Sequence, residues 1–383
     1  MKTNRPIHVL LAGIGLASLL VYVLACSTAF SPDDRQVLYP SFDPQSGALS
    51  FAIYDRKSGR SEHVFSGMQL HADTNFHSSP MRAEWMPDGK HILVAQADEK
   101  DRLSLTLLPR GVAEPIRHFG SIACQDATMA LQFPFAVAGH WVFLNQEHGF
   151  VRLDLRTGEG VTTTNLLAMM PNEDGKTIVG WREAENDSGE FGLVNPQTLE
   201  FQSKLIITNS IKDGTFPIFN SQAHEAIFIA HVGTNQEFQV QRDGQKTFSR
   251  LISRPGYDVK VASIFLALGP GKDRAFTTYL SQTEGQTNYE CGLLEIPLSE
   301  KPLRFTPLFS VKSDEMVALL AQPSLSHDGR TWAISSAWLG VKDKSNPKPE
   351  DCALFLVEVD RRLPKVTKVP IVQPNVRDEG MNF

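Results

Sequence analysis

Four cysteines are the side chains in this 383-residue sequence whose chemistry depends most clearly on spacing. Cys26 ends an apolar run near the N-terminus, whereas Cys124, Cys291 and Cys352 are scattered through the rest of the chain. Zinc sites and thioredoxin-type redox centres need closely spaced pairs, and the sequence has no Cys-x-x-Cys. The three scattered cysteines cannot all pair in disulfides within one chain. We therefore predict that they are small buried hydrophobic side chains.

The histidines offer few alternatives for a metal or acid–base site. His71 and His77 flank a polar segment that is able to hold a cation, but a solvated loop is the simpler interpretation. His140, His224 and His231 lie near predicted strands and are expected to be ordinary, partly exposed side chains. The sequence has no Gly-x-Ser-x-Gly elbow, no His-Glu-x-x-His helix, no Gly-x-x-x-x-Gly-Lys phosphate loop and no EF-hand. We predict no catalytic residues, no metal site and no cofactor.

Cys26 is distinguished by the residues that precede it. Lys2 and Arg5 are followed by residues 7–25, which contain no Lys, Arg, Asp or Glu, and Val-Leu-Ala-Cys at 23–26 closes the run. This tetrapeptide resembles the lipobox of bacterial lipoprotein signal peptides, which implies that the Cys26 thiol receives a diacylglycerol before the leader is removed. An uncleaved anchor is the alternative, because residues 7–25 are just long enough to span a bilayer. In either case the positive start predicts that the remaining chain lies outside the cytoplasm.

The charge of the chain argues against one class of partner. The chain carries 37 Lys and Arg against 43 Asp and Glu, a formal net charge of −6, and removing Lys2 and Arg5 leaves 35 against 43, or −8. Such an acidic body lacks the basic patch that nucleic-acid backbones attract. Short runs rich in Phe, Val, Ile and Thr indicate strands instead. We therefore expect an all-β body and no nucleic-acid partner.

A repeated unit of strand, tight turn and strand runs through this body. The clearest copies are residues 40–52, 84–95 and 323–334, each with a glycine near the turn. Weaker copies fill the gaps, so that seven turn centres fall at positions 47, 89, 139, 175, 224, 272 and 329. A period of about 40 to 50 residues, with a second hairpin in most periods, gives four strands per unit. We predict a seven-bladed β-propeller of four-stranded antiparallel blades, with six or eight blades as alternatives.

The strong copies have a common turn sequence. The turns at 89 and 329 contain Pro-Asp-Gly and His-Asp-Gly. They resemble the TolB-type propeller repeat, roughly Pro-x-Phe-Ser-Pro-Asp-Gly-Lys-x-Ile-Ala-Phe, and the turn at 329 also resembles the Asp-box of sialidase propellers. Both resemblances imply a structural turn and no activity. Asp88, Asp174 and Asp328 are expected to cap backbone N–H groups of their turns.

Other segments depart from this pattern. The copy centred on His224 has lost the turn glycine, and the copy near Lys272 places it at Gly271. Two polar excursions, residues 281–289 and 339–351, are expected to be solvated loops because they offer little apolar anchorage for a partner.

Charged residues near the predicted strands are the remaining candidates for a site. Arg82, Glu84, Arg182, Glu183 and Glu185 lie where an unpaired buried charge would be costly. In a propeller such residues face either solvent or the central channel, where side chains from several blades converge.

The sequence thus divides into a lipoprotein signal peptide, an N-terminal tether, the β-propeller and a C-terminal tail, at residues 1–25, 26–35, 36–375 and 376–383. We expect a non-enzymatic binding or scaffolding module, which the lipid on Cys26 ties to the membrane and whose partner is an envelope protein or glycan. Ser27, where an Asp would favour the inner membrane, favours the outer membrane and a periplasm-facing module. The alternatives are an envelope enzyme of lyase, lactonase or glycosidase type with a channel site, and a periplasmic part of a transport assembly.

Overall fold

The computed structural model shows a ring of seven antiparallel sheets, each of which forms one blade. The residues that the structure describes are 28–42, 49–66, 81–97, 102–112, 114–123, 130–131, 135–146, 149–171, 176–183, 188–207, 217–220, 224–232, 234–243, 245–261, 266–269, 271–283, 286, 288–312, 318–320, 323–338, 352–359 and 363–370.

The strands follow the chain from blade to blade. The first three blades are β1 (Ala29–Phe30), β2 (Gln36–Phe42), β3 (Leu49–Asp55) and β4 (Arg60–Ser66); β5 (Met81–Trp85), β6 (His91–Ala97), β7 (Arg102–Pro109) and β8 (Arg117–Ala123); and β9 (Ala136–Ala138), β10 (Trp141–Gln146), β11 (Gly149–Asp154) and β12 (Gly160–Thr164).

Blades 4 and 5 are β13 (Leu167–Pro171), β14 (Ile178–Glu183), β15 (Gly189–Val194) and β16 (Phe201–Ile207), then β17 (Ile218–Asn220), β18 (Glu225–Val232), β19 (Asn235–Arg242) and β20 (Gln245–Leu251). Blades 6 and 7 are β21 (Tyr257–Val261), β22 (Ala267–Leu268), β23 (Arg274–Thr283), β24 (Asn288–Pro297) and β25 (Arg304–Lys312), then β26 (Ala318–Leu320), β27 (Ser324–Leu325), β28 (Thr331–Trp338), β29 (Cys352–Glu358) and β30 (Lys365–Pro370).

Within each blade the order of strands along the chain is also their order in the sheet. In blades 3 and 5 the first strand, β9 or β17, is fully buried, whereas the last strand of blade 3, β12, is mostly exposed. In blades 6 and 7 the innermost strand is divided into two pieces that pair with the same second strand. The predicted seven-bladed propeller with four-stranded antiparallel blades is confirmed.

The hydrophobic core lies between neighbouring blades. Phe143 and Phe150 of blade 3, whose rings meet edge to face at 5.2 Å, pack in one cluster with Ile178 and Val194 of blade 4. Burying a side chain of this size contributes about 1.5–3 kcal/mol. Each blade is therefore stabilised chiefly by the apolar surface that it shares with the next.

The first blade corrects the repeat alignment. The turn between β1 and β2 is residues 31–35, in which Asp34 adopts the left-handed conformation with φ of 57°. Gly47, predicted as this turn centre, belongs to the connection between β2 and β3, outside the described residues. Residues 28–35, which the sequence assigned to a tether, therefore include the innermost strand of blade 1. The repeat was missed here because an Asp, which tolerates positive φ better than most residues, replaces the glycine.

The same hydrogen-bond network identifies this turn with the turn of blade 7. Ser31 Oγ donates to Asp33 Oδ1 over 2.6 Å, and that oxygen accepts the backbone N–H two residues on, over 3.1 Å. In blade 7, Ser326 Oγ donates to Asp328 Oδ1 over 2.6 Å, and the corresponding N–H lies at 3.0 Å. Asp88 Oδ1 also accepts the N–H two residues on, over 2.8 Å. The predicted capping role of Asp88 and Asp328 is confirmed.

Positive φ angles mark the corresponding turns of other blades. Gly329 has φ of 71°, as expected, and His224 takes φ of 51° at the turn that lost its glycine. In blade 6 the left-handed residue is Lys272, with φ of 52°, and not the adjacent Gly271. The turn position is therefore kept even where its residue type changes. Asp174 lies outside the described residues.

The ring closes through contacts between blades 1 and 7. Thr28 Oγ1 donates to Ala333 O over 2.9 Å and lies 2.9 Å from Ser324 Oγ. Asp34 Oδ1 accepts the backbone N–H of His327 over 2.7 Å. Among the described strands, each blade is built from consecutive strands, so side-chain contacts replace a strand shared by the two chain ends.

Candidate functional site

The two faces of the ring differ in the length of their connections. At the turn face, first strands join second strands and third strands join fourth strands. The shortest of these connections include residues 243–244, and the longest is residues 110–116. At the loop face, second strands join third strands and each blade joins the next. Its four longest connections are residues 67–80, 124–135, 208–217 and 339–351. Loops on a rigid scaffold commonly carry binding residues, so the loop face is the candidate functional surface.

Arg82 and Glu84 form a buried ion pair on β5, the innermost strand of blade 2. Arg82 Nε lies 2.5 Å from Glu84 Oε1, and only 3% of the Arg82 side chain is exposed. Glu84 Oε1 also accepts the N–H of Phe135 over 3.0 Å, and the Arg82 guanidinium lies 5.8 Å from the centroid of the Phe135 ring. The segment before β9 is thereby fixed against blade 2. The pair therefore links blade 2 to the segment that precedes blade 3.

The other charged candidates lie in blade 4. Arg182 on β14 pairs across the strands with Glu190, with 2.5 Å between Nη2 and Oε2, and 45% of its side chain is exposed. Its guanidinium also lies 4.6 Å from the centroid of the Phe201 ring. The backbone of Glu183 is on β14, but its side chain and all of Glu185 lie outside the described residues. Of the three predicted charges whose side chains the structure describes, Arg82 and Glu84 pair with each other in blade 2, whereas Arg182 pairs with Glu190 in blade 4.

A polar and aromatic cluster at the loop-face end of blade 6 was missed by sequence reasoning. Arg254, between blades 5 and 6, donates from Nη1 to Glu290 Oε1 over 2.5 Å, and Tyr279 Oη donates to the same oxygen over 2.7 Å. The Arg254 guanidinium lies 3.9 Å from the centroid of the Tyr257 ring and 5.4 Å from that of Phe305. The cluster draws on four separate segments of the chain, so no local motif could have revealed it.

The electrostatics of this cluster favour binding over proton transfer. Burial raises the pKa of Tyr279, and its hydrogen bond to Glu290 raises that pKa further, so the phenol remains a donor. Burial opposes the charge of Arg254, but the hydrogen bond to Glu290 outweighs it and raises the pKa of the guanidinium. Burial also raises the pKa of the adjacent Cys291 thiol to about 12, which makes it a poor nucleophile near neutral pH. Solvent reaches the cluster at Arg254 and Glu290, whose side chains are 28% and 24% exposed.

The histidines occupy separate positions. His71 and His77 lie outside the described residues, so the suggested cation loop stays untested. His140 Nε2 is 3.7 Å from Asp154 Oδ2, and His231 lies at the exposed end of β18. Within the described residues, no group of three or more His, Cys, Asp or Glu side chains is arranged to hold a metal ion.

The cysteines fall into two groups. Cys291 is free and buried, as predicted, whereas Cys26 and Cys124 lie outside the described residues. The backbones of Cys291 and Cys352 occupy equivalent places on β24 and β29. Cys291 lies opposite Leu280, eight positions after the turn residue Lys272, and Cys352 lies opposite Ala337, eight positions after the turn residue Gly329. No helix in the described part of the chain is both long and apolar enough to cross a bilayer.

Several solved structures are similar to this chain at low sequence identity. TolB from Acinetobacter baumannii is 13% identical with a TM-score of 0.43; the match covers 71% of this chain and 66% of TolB, just under two thirds of its length. The propeller domain of the Trilobed protease from Pyrococcus furiosus is 9% identical with a TM-score of 0.46, over 73% of this chain and 83% of that one. Oligogalacturonate lyase from Vibrio parahaemolyticus is 12% identical with a TM-score of 0.43, and the match covers 89% of this chain and 95% of the lyase.

These similarities concern the fold alone. No protein-family model and no curated protein sequence matches the chain.

Proposed function

We propose that the chain is a non-enzymatic binding or scaffolding module of the bacterial cell envelope, tied to a membrane by a lipid on Cys26, whose loop face binds a protein or glycan partner. One observation carries the proposal: the four longest connections of the ring all emerge at the loop face, while the turn face has only short ones. Connections from several blades that emerge at one face are the usual carriers of binding residues on a propeller scaffold.

The polar groups between blades support a scaffold role. Asn145 of blade 3 donates from Nδ2 to Ala168 O of blade 4 over 2.7 Å and accepts the Ala168 N–H over 2.7 Å. The ion pair of Arg82 and Glu84 joins blade 2 to the segment before blade 3. Such contacts make the ring rigid, and a rigid ring presents its loops at little entropic cost to binding.

The tether rests on residues 7–26, the uncharged run that ends in Cys26. Cys26→Ser is expected to abolish metabolic labelling with a fatty acid and to leave the larger, unprocessed precursor. Cys291→Ser is the matched control and is expected to retain the label, since the Cys291 side chain is buried in blade 6. A label that persists in Cys26→Ser would contradict the tether.

The binding face is tested with a photo-crosslinking amino acid at either end of blade 5. Val232 lies at the loop-face end of β18 and is 53% exposed, and Asp243 lies in the exposed turn between β19 and β20 at the turn face. In intact cells we expect the crosslinker at position 232 to give a discrete adduct, whose mass identifies the partner as protein or glycan. Adducts from position 243 alone would overturn the assignment of the face.

A further inference from the structure

The outermost strand of each blade has one edge that faces solvent. Such an edge exposes unpaired backbone N–H and C=O groups, which can pair with another strand. Natural proteins protect these edges with charged side chains, prolines or β-bulges. The seven outer strands of this ring are β4, β8, β12, β16, β20, β25 and β30.

Six of the seven outer strands carry such protection. A register shift interrupts the pairing of β4, β8, β16, β20 and β25 with their neighbours, and each of these strands also has at least one Lys or Arg. The β30 strand pairs without a shift but carries Lys365 and Lys368.

The β12 strand of blade 3 is the exception among the described strands. Its sequence, Gly-Val-Thr-Thr-Thr, has no charge and no proline, and it pairs with β11 without a register shift. Four of its five residues are exposed, and Val161 keeps 42% of its surface accessible. Three consecutive threonines favour an extended strand. This edge is therefore regular, uncharged and open.

The ladder with β11 shows which backbone groups of β12 point outward. Asp154 N donates to Glu159 O over 2.9 Å, and the pairing continues in steps of one residue along β12. Hydrogen-bonded and non-hydrogen-bonded pairs alternate in an antiparallel ladder. Odd-numbered residues of β12 thus turn their N–H and C=O groups toward β11, and even-numbered residues direct theirs away from the sheet.

We propose that β12 pairs with β12 of a second copy of this chain, antiparallel and centred on Thr162. In that register Thr162 faces its own counterpart, Gly160 faces Thr164, and all three residues exchange backbone hydrogen bonds with the other copy. Threonine pairs across strands are favourable, whereas like charges directly opposite each other are destabilising. A strand that pairs with itself at a two-fold axis sets its central side chain against the same side chain, so an uncharged strand fits this role.

The pair has a defined geometry. Antiparallel pairing turns one ring over relative to the other, so the two loop faces point in opposite directions. Both loop faces stay accessible, and the inference does not depend on the proposed function.

Sedimentation equilibrium of the purified full chain in a density-matched detergent tests this pairing. The wild-type mass is expected to rise with concentration from that of one chain toward that of two. Thr162→Lys and Thr162→Glu should each remain single chains where wild type pairs, because like charges meet at the axis. An equimolar mixture of the two variants should pair again, because Lys then faces Glu.

Ser203→Lys is the matched control, since Ser203 is an exposed residue on β16, the outer strand of blade 4. It should associate like wild type. At a concentration low enough that the wild type is a single chain, all variants should share the wild-type melting temperature. A wild-type chain that stays single at its highest soluble concentration would overturn the proposal. Association that survives in both Thr162 variants, or a mixture that fails to restore it, would also overturn it.

Discussion

The carboxylate of Asp34 in blade 1 caps the turn at His327 in blade 7, although the two residues are 293 positions apart in the chain. Its Oδ1 accepts the His327 backbone N–H over 2.7 Å and lies 2.9 Å from His327 Nδ1, while Oδ2 accepts the N–H of Asp328 over 2.8 Å. The same residue supplies the positive φ of its own turn. A single side chain thus links a local turn to the closure of the ring.

Replacing Asp34 with Asn should weaken this closure. The amide keeps the shape and the tolerance of positive φ, but it has one acceptor oxygen for the two backbone N–H groups. Because both N–H groups are exposed and water can replace the lost acceptor, the free energy of unfolding should fall by about 0.5–1.5 kcal/mol, the net contribution of one hydrogen bond. Thermal unfolding should show a lower melting temperature in a single transition. Asp243→Asn is the control, because Asp243 also has positive φ, of 51°, but lies in the hairpin turn between β19 and β20. Equal losses in both variants would refute a special role for Asp34.

Replacing Arg82 with Met should lower the free energy of unfolding much more than the same change at Arg182. Removing Arg82 leaves Glu84 partly buried without its cation, and breaking a buried pair costs about 3–5 kcal/mol. Arg182 pairs with Glu190 at the surface, where such a pair contributes about 0–1 kcal/mol. Urea unfolding of the two variants measures the difference. Similar midpoints would mean that the pair of Arg82 and Glu84 does not hold blades 2 and 3 together.

Gly139 tests whether backbone conformation alone makes a turn residue indispensable. It has φ of +60°, and a Cβ added there would have no heavy atom within 4 Å, so Gly139→Val introduces strain without a clash. We expect Gly139→Val to lower the free energy of unfolding by about 1–3 kcal/mol. Gly120→Val is the control, since a Cβ there also meets open space and its φ lies outside the left-handed region. A Gly139→Val variant as stable as the Gly120→Val variant would show that the turn relaxes.

The contribution of Asp328 should depend on pH. The hydrogen bond from Ser326, together with the backbone N–H of Arg330, keeps the pKa of Asp328 below its ordinary 3.8 although burial opposes this. A carboxyl with a lowered folded pKa stabilises the fold above its unfolded pKa and loses that contribution as the pH falls through the folded value. The stability difference between wild type and Asp328→Asn should be full at about pH 7 and shrink below about pH 4. Urea titrations across this range measure it, and a constant difference would contradict the assignment.

The fold was predictable where its signals are local. Asp-Gly at a hairpin turn acts on its own backbone, so the turns at Gly89 and Gly329 could be read directly from the sequence. The turn at Asp34 was hidden because a second Asp stands where the repeat has Gly. Its cross-ring role depends on His327, which no short window of sequence includes.

The candidate site was less predictable, because its contacts join distant segments. Arg254 and Glu290 belong to different connections and strands, and only the ring brings them together. The polar excursion at 281–289 was also predicted incorrectly: Gln282 pairs with Tyr289, so both strands extend into it and only residues 284–287 remain as a connection. Polar side chains at the exposed end of a hairpin resemble those of a loop, and sequence alone does not separate the two.

Because every blade is one contiguous stretch of chain, the encoding gene can change the size of the ring in whole units. Duplication or loss of a segment such as residues 81–123 would leave each remaining hairpin with its own partner strands. In a ring that is closed by a blade containing strands from both chain ends, loss of the last blade would remove the pairing partner of the strand from the other end. Here such a change would require only that the newly adjacent blades have compatible side chains at their interface. The contacts of Thr28 and Asp34 mark the interface at which a longer or shorter ring would have to close.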